Sequence, residues 1–149
     1  MQAKFTLTPF LRVSTDPAEL DAALIHRFLS GQSTWARGIP LALVEKSLRN
    51  SLCFGGYLDG AQIAFARVIS DYATFANLVD VFVLPEHRGH GHAATLMRVV
   101  MAHPELQGIR RFCLNTIDAH GLYAQFGFAP PGKPETAMER YNPGVYQQP

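Results

Sequence analysis

The residues with the clearest chemical potential form a glycine-rich turn behind an apolar strand. The strand runs Val79-Asp-Val-Phe-Val-Leu84, and the turn continues Pro85-Glu-His-Arg-Gly-His-Gly-His-Ala-Ala94. Glycine lets the backbone take left-handed conformations that a Cβ disfavours. A helix that starts directly after such a turn directs unpaired N–H groups and its positive end at one place. Arg88 adds a guanidinium that can contact an anion, so the pattern predicts a phosphate-binding turn.

Two well-known phosphate motifs do not fit this turn. A Walker loop places Lys and then Ser or Thr after its last glycine, and the dinucleotide fingerprint has three glycines at fixed spacing. Neither spacing occurs here. An ordinary tight turn between a strand and a helix, in which Arg88 caps some other group, is the alternative that the residues alone leave open.

Three histidines in the same turn raise the question of a metal site. They are His87, His90 and His92. Zinc needs ligands that converge tetrahedrally and a second-shell partner, whereas side chains on a turn wrapped around a phosphate point outward. We therefore expect no metal at this turn.

Asp80 is the one acidic residue in the apolar strand. Alternation of side chains along a strand places it on the opposite face from its neighbouring valines. A carboxylate in such a run needs a cation or a wet cleft beside it. It could act as a general base or bind an amine, or it could form a plain ion pair with Arg67 of the neighbouring strand. The sequence leaves both interpretations open.

Hydrophobic spacing and turn residues divide the chain into helices and strands. The predicted order is a strand at 10–13, a helix that Asp16 caps, a helix opened by Pro40, strands Leu52–Leu58 and Ala61–Ile69 joined at Asp59-Gly60, a strand ending at Leu84, a helix Ala93–His103, a strand Arg110–Asn115, a helix His120–Phe126 capped by Asp118 and a strand Thr136–Tyr141. This order predicts a mixed α/β (α+β) fold, with a mainly antiparallel central sheet and helices on both faces.

Length and composition restrict the class of protein. The 149 residues, 48% hydrophobic and 17% charged, predict one globular domain over 1–149 with a core at about 10–141 and a loosely ordered tail at 142–149. Thirteen basic and twelve acidic residues leave a formal charge of +1, which favours neither nucleic acid nor an anionic membrane as a partner. No signal peptide and no membrane-spanning run is evident, so we expect a cytoplasmic protein. Cys53 and Cys113 lie among apolar residues and are expected to be buried thiols.

At this point the chain resembles the GNAT superfamily of acyl-CoA-dependent N-acetyltransferases. The family signature is Arg or Gln, two residues, Gly, one residue, and Gly or Ala, which stands here as Arg88-Gly-His-Gly-His-Ala93. A second family feature stands as Leu122-Tyr-Ala-Gln-Phe-Gly-Phe128. Many members carry Asn seven residues before that tyrosine, where this chain has Thr116, so a contact to the pantetheine arm or to the helix start is expected to differ. The resemblance covers about residues 10–141.

The resemblance implies a direct transfer of an acetyl group from acetyl-CoA to a primary amine of an unidentified small molecule or peptide. It implies that Arg88 and the turn hold the pyrophosphate of coenzyme A, with backbone N–H groups from Gly89, His90, Gly91, His92, Ala93 and Ala94. The pantetheine arm would lie along the strand at Val81, Phe82 and Val83. A free N–H there would stabilise the oxyanion. Deprotonation of the amine would fall to Asp80 or to ordered water.

The resemblance assigns Tyr123 as the general acid that protonates the departing sulfur; the alternative is that Tyr123 is a core aromatic. Trp35 and Arg37 lie between the first two helices, where this fold usually forms one wall of the acceptor cleft. Tyr72 and Phe75 lie at the turn before the motif strand, where aromatic rings could hold an ammonium group by cation–π attraction. The equal alternative is that these residues seal the edge of the core.

Two other function classes remain as alternatives to acetyl transfer. One is a non-catalytic module that binds acyl-CoA for regulation, although such a module would not need Tyr123. The other is an enzyme that uses a different phosphate ligand, such as a nucleotide. The sequence does not decide between a monomer and a homodimer.

Overall fold

A computed structural model describes residues 10–147 and arranges them around a five-stranded sheet in the order β1-β2-β3-β4-β5. The strands are β1 Arg12–Ser14, β2 Leu52–Leu58, β3 Ala61–Ser70, β4 Phe75–Val83 and β5 Arg111–Leu114, and the α-helices are α1 Ala22–Gly31, α2 Leu41–Arg49, α3 His92–Ala102 and α4 His120–Ala124. Strands β1 to β4 pair antiparallel, and β5 pairs parallel to β4. The predicted mixed, mainly antiparallel sheet is confirmed.

Each face of the sheet carries its own hydrophobic core. The first core lies beneath α3, whose Leu96 packs with Val68 of the sheet. The second core lies beneath α1 and α2, where Ile25 and Val44 pack with Phe65. Helices therefore cover both faces, as the apolar spacing predicted. None of the helices within residues 10–147 is long and apolar enough to cross a membrane.

The first helix begins later than the sequence predicted. Asp16 caps only a short 3-10 turn at Pro17–Glu19, and Leu20 is then extended with φ −69° and ψ 133°. Asp21 is the residue that caps α1, since its carboxylate accepts a hydrogen bond from the N–H of Leu24 at 3.0 Å. Asp16 and Asp21 both stand at positions suited to start a helix. The helix that packs on the sheet starts at the second of them, Asp21.

Two predictions near the C-terminal part of the sheet are wrong. Asp118 does not cap α4; the Thr116 hydroxyl instead accepts a hydrogen bond from the N–H of Ala119 at 3.0 Å. The predicted strand Thr136–Tyr141 is absent, because the chain there follows a 3-10 turn at Pro134–Thr136 without pairing to the sheet. Its apolar side chains find no core to pack against, and the Met138 side chain is 98% exposed.

The tail is more ordered over 142–147 than the sequence predicted. A 3-10 turn forms at Val145–Gln147, and Tyr146 packs against the second core. The side-chain amide of Gln147 donates a hydrogen bond to the carbonyl of Arg37 at 3.2 Å. The tail therefore supports the connection between α1 and α2; residues 148 and 149 lie outside the described part of the chain.

Strand β4 contains a bulge at Asp80. Between Val79 and Phe82 the strand advances by three residues while its partner β3 advances by two, and Asp80 has a left-handed φ of +56°. The extra residue shifts the side-chain alternation, so Leu78 and Val83 both belong to the first core. The strict alternation that the sequence suggested is therefore wrong across Asp80.

Strands β4 and β5 separate after four paired residues. Their pairing starts at Phe75 with Arg111 and ends at Leu78 with Leu114. Beyond that point β4 continues to Val83 without a strand neighbour on this side. The backbone N–H and C=O groups of this edge therefore face a gap, in which an extended ligand can bond to them as an added strand would.

The close approach of Gly55 and Tyr57 in β2 gives a stability prediction. A Cβ on Gly55 would lie 2.7 Å from Cζ of the Tyr57 ring. That ring cannot easily move, because its hydroxyl donates to the carbonyl of Glu19 at 2.9 Å and the Arg12 guanidinium lies 4.6 Å from its centroid. We expect Gly55→Ala to lower the free energy of unfolding by about 1–3 kcal/mol, the usual cost of overpacking.

Urea unfolding of Gly55→Ala beside Gly31→Ala tests this prediction. An added Cβ at Gly31 meets no atom within 4 Å, so that variant should unfold at the wild-type urea concentration or slightly above it. Equal midpoints for the two variants would contradict the steric argument.

Candidate active site

A cleft of about 900 Å³ opens where β4 and β5 separate. One wall is the β4 segment Leu78–Val83, and the opposite wall is the segment 114–119 that follows β5. Tyr123 from the first core and Phe28 from the second both line it. The cleft therefore connects the two faces of the sheet through the gap between the strands.

Most of the residues predicted to form the site meet in this cleft. Those that line it are Trp35, Asp80, Val81, Phe82, Val83, Arg88, Gly89, Gly91, His92, Ala93 and Tyr123. His90 and Ala94 belong to the same turn but are not part of the cleft lining. The turn and the strand edge thus line one continuous cleft.

Three residues predicted for the acceptor wall lie outside the cleft. Arg37 is exposed on the connection between α1 and α2. Tyr72 and Phe75, each 44% exposed, lie at the turn between β3 and β4. The gap opens only from Leu78 onward, so side chains at the beginning of β4 precede it.

The glycine turn presents a row of unpaired backbone donors. Gly89 and Gly91 take left-handed φ values of +82° and +78°. The N–H of Thr95 is the first one of α3 to bond, to the carbonyl of Gly91 at 3.1 Å. Within residues 10–147, the N–H groups of residues 89–94 have no acceptor. Together with the positive end of the 11-residue helix α3, these donors form an arrangement suited to an anion.

Arg88 supplies the permanent positive charge of the turn. Its Nε donates to the carbonyl of Val83 at 3.0 Å, which fixes the guanidinium at the end of β4. Burial lowers the pKa of His92, and the nearby His90 and His87 lower it further, so its imidazole is neutral at pH 7. In the part of the chain that the structure describes, no three His, Cys, Asp or Glu side chains come together in a way that could hold a metal ion.

Tyr123 is both a core residue and a cleft residue. It is 8% exposed and its ring meets Phe128 edge-on, with centroids 6.1 Å apart. No hydrogen-bond partner is found for its hydroxyl among the described residues, and no fully buried side-chain polar atom there lacks a partner, so this hydroxyl is not fully enclosed. Tyr123 is one of the residues that line the cleft. Burial, followed by the negative charge of Asp118, raises the pKa of Tyr123. The phenol therefore keeps its proton at neutral pH.

Asp80 uses both of its carboxylate oxygens within the protein. Oδ2 accepts from Nε of Arg67 at 2.9 Å, and Oδ1 accepts from the indole N–H of Trp35 at 2.8 Å. Nη1 of Arg67 also donates to the Ser51 hydroxyl at 3.0 Å. The ion pair that the sequence offered as one interpretation is present, and the contact to Trp35 was not foreseen.

Comparison with known proteins identifies the family. The model of the acetyltransferase (GNAT) family matches residues 22–128. The chain belongs to the GNAT family. This confirms the resemblance read from the turn and from the tyrosine motif, and it makes the protein an acyltransferase.

Relatives of this GNAT protein agree with that assignment. A Gibberella zeae protein that bears an acetyltransferase name is 33% identical over 135 residues, which cover 76% of this chain and 75% of the relative. A GNAT-family crystal structure from Xanthomonas campestris pv. campestris is 64% identical, covers 94% of this chain and 99% of its own, and superposes with a TM-score of 0.92. A Clostridium acetobutylicum structure described with acetyl-CoA, at 14% identity, covers 90% and 96% of the two chains and shares the fold with a TM-score of 0.61.

Sequence reasoning missed part of the GNAT cleft. The residues it did not assign to the cleft include Gln32 and Thr34 after α1, and Asn115, Ile117 and Asp118 after β5. Segments that follow the carboxyl ends of parallel strands often carry ligand sites in α/β sheets. That rule could have drawn attention to the residues after β5, whereas the residues after α1 reach the cleft only through tertiary packing.

Cys53 gives a reactivity prediction that bears on mechanism. Both cysteines are free thiols, and Cys53 is buried. Burial raises the pKa of Cys53 to about 11, so its thiolate fraction at pH 8 is on the order of a hundredfold smaller than that of an ordinary thiol. We expect iodoacetamide to label Cys53 in the native protein at least that much more slowly than in guanidinium, as measured by peptide mass spectrometry. Native labelling at the unfolded rate would contradict the burial of this thiol and would make Cys53 a candidate nucleophile.

Proposed function

We propose that this GNAT protein transfers an acetyl group directly from acetyl-CoA to a primary amine. The observation that carries the proposal is one continuous cleft with unpaired N–H groups at its turn and Tyr123 in its lining. Acetyl-CoA carries a diphosphate for the first feature and a thioester for the second.

The cofactor side of the proposal rests on unpaired backbone groups. The diphosphate binds the N–H groups of residues 89–94 and the guanidinium of Arg88. The pantetheine amides bond to the β4 edge at Val81–Val83, where β5 has already diverged. Thr116 takes the place of the family asparagine and already accepts the N–H of Ala119, which supports a role at the start of α4. The acetyl-CoA in the Clostridium acetobutylicum structure of the same fold agrees with this cofactor.

The chemical step needs three groups in the cleft. A neutral amine attacks the thioester carbonyl and forms the C–N bond, while an N–H of the β4 edge stabilises the oxyanion. The C–S bond then breaks, and Tyr123 donates its proton to the departing sulfur. The amine loses its proton to water, because both oxygens of Asp80 are engaged. Solvent returns a proton to the phenol.

The acceptor side is argued from the face of the sheet beneath α1. Trp35 and Phe28 give that side an apolar wall, and Gln32 adds a neutral polar group. Among the described lining residues the cationic candidates lie at the glycine turn, and Arg67 nearby is neutralised by Asp80. A carboxylate or phosphate on the acceptor would therefore find no cation there. We propose that the amine is carried on an uncharged, largely apolar body.

A matched pair of amines tests the proposed function. Free-thiol release from acetyl-CoA is measured with 2-phenylethylamine and with phenylalanine, which adds one carboxylate to the same body. We expect release with the first amine and at least a tenfold lower kcat/KM with the second, a difference of about 1.4 kcal/mol. Faster turnover of phenylalanine would contradict the acceptor class. Acetyl-CoA binding without thiol release for a wide panel of amines would favour a non-catalytic acyl-CoA-binding module.

A further inference from the structure

We propose that Asp80 is a positioning residue, which holds the indole of Trp35 as the acceptor-side wall of the cleft and takes no proton from the amine. The effect that we expect of this contact on binding of the amine acceptor rests on the proposed acetyl transfer. The contact itself is a property of the fold and is tested separately.

Both carboxylate oxygens of Asp80 already accept a hydrogen bond from the protein. Oδ1 accepts from Trp35 and Oδ2 from Arg67, and the side chain is only 9% exposed. Arg67 is itself held by the Ser51 hydroxyl. A general base needs an oxygen within hydrogen-bond reach of the substrate proton, so in a base role the substrate proton would have to share an oxygen that already accepts from Trp35 or Arg67.

The backbone conformation at Asp80 also depends on these two hydrogen bonds. Its left-handed φ of +56° is unfavourable for a residue with a Cβ and persists only where surrounding contacts determine it. The Arg67 and Trp35 bonds supply those contacts at the bulge of β4. The bulge immediately precedes Val81, where the strand edge faces the gap. One carboxylate thus connects the acceptor wall to the strand edge that faces the thioester.

Trp35 depends on this bond for its orientation. Its side chain is 50% exposed, and its ring meets Phe28 at a centroid distance of 6.3 Å. Phe28 in turn stacks on Phe82 at 4.0 Å. The backbone beside Trp35 is held independently, since the buried Ser33 hydroxyl accepts the N–H of Ala36 at 3.0 Å. Loss of the Asp80 contact should therefore release the indole without unfolding the connection.

Fluorescence measures the contact directly, because Trp35 is the only tryptophan of the chain. We expect Asp80→Ala to raise the acrylamide quenching constant of the native protein at least twofold, since a methyl group offers the indole N–H no acceptor. Asp118→Ala is the matched control, because Asp118 lines the same cleft and the indole N–H of Trp35 bonds to Asp80 instead. An unchanged quenching constant in Asp80→Ala would overturn the proposal.

Kinetics with 2-phenylethylamine then separate positioning from proton transfer. We expect Asp80→Asn and Trp35→Phe each to raise the amine KM at least tenfold, to keep the KM of acetyl-CoA within twofold and to keep the shape of the kcat/KM pH profile. The amine KM of the double variant should not exceed that of the more impaired single variant, because both substitutions remove the same contact between Trp35 and Asp80. Loss of the acidic limb of the profile in Asp80→Asn alone would overturn the proposal in favour of a base.

A thermal shift with acetyl-CoA shows whether each variant is folded, since it does not involve the acceptor. If Asp80→Asn fails to fold, Trp35→Phe decides the question, because it removes the indole N–H together with its five-membered ring and keeps an aromatic ring beside Phe28. An unchanged amine KM in that variant would then overturn the proposal. If the wild-type protein releases no thiol with any amine, the proposed function fails, while the quenching result still decides the Asp80 contact.

Discussion

Arg88→Glu should abolish the rise in melting temperature that acetyl-CoA gives the wild-type protein. A ligand at a hundred times its Kd stabilises a protein by about 2.7 kcal/mol, which corresponds to about 5–10 °C for a chain of this size. Arg88 is anchored on the carbonyl of Val83 at 3.0 Å, at the end of β4 where the row of unpaired N–H groups begins. A glutamate there places a negative charge where we propose that the diphosphate binds.

Arg98→Glu is the matched control for this charge reversal. Arg98 is exposed on α3 and does not line the cleft, so this variant should keep the full acetyl-CoA shift. Arg88→Lys should keep part of the shift, because a cation remains while the anchored planar guanidinium is lost. A shift with ATP but none with acetyl-CoA in the wild-type protein would contradict the assignment of the turn to coenzyme A.

The elements with local signals were predictable from the sequence. The hairpin between β2 and β3 is marked by Asp59-Gly60, and both residues have the positive φ values, +50° and +79°, that such a turn requires. The glycines of the phosphate turn and the apolar spacing of α3 are equally local. In each case, neighbouring residues along the chain determine the backbone conformation.

The elements that failed depend on contacts distant in sequence. Nothing in the strand sequence marks the bulge at Asp80, because an inserted residue is defined only by the register with β3. The segment Thr136–Tyr141 has side chains suited to a strand but no neighbouring strand with which to pair. Alternation indicates that a segment could form a strand, and tertiary structure decides whether it does.

The candidate site divides along the same line. The glycine turn and Tyr123 could be selected from the sequence, because each lies in a short motif, and both line the cleft. Trp35 was predicted for one wall of the acceptor cleft. Its hydrogen bond to Asp80 joins residues 45 positions apart, so no local sequence pattern could indicate it. Tyr72 and Phe75 illustrate the opposite error, since closeness to the motif strand in sequence did not bring them into the gap.

Tyr123→Phe should lower kcat at least tenfold, or about 1.4 kcal/mol of transition-state stabilisation, and leave the Kd of acetyl-CoA within twofold. The variant removes only the hydroxyl of a residue that lines the cleft and keeps the ring packed on Phe128. Because burial raises the pKa of Tyr123, the acid form persists to a higher pH than in a free tyrosine. The alkaline limb of the wild-type profile should therefore lie above the range in which an exposed tyrosine ionises.

The same raised pKa makes the phenol a weaker acid, and this sets a requirement on the cleft. Even with ordinary pKa values of about 10 for tyrosine and 8.5 for a thiol, the transfer to sulfur is uphill by about 2 kcal/mol. The hydroxyl must therefore be held close to the sulfur so that the proton moves as the C–S bond breaks. Tyr57→Phe is the matched control, because it also removes a tyrosine hydroxyl, but one that donates to the Glu19 carbonyl and lies outside the cleft. This variant should lower the free energy of unfolding but keep kcat. Equal kcat in Tyr123→Phe and the wild-type protein at saturating substrates would remove the phenol from the chemical step.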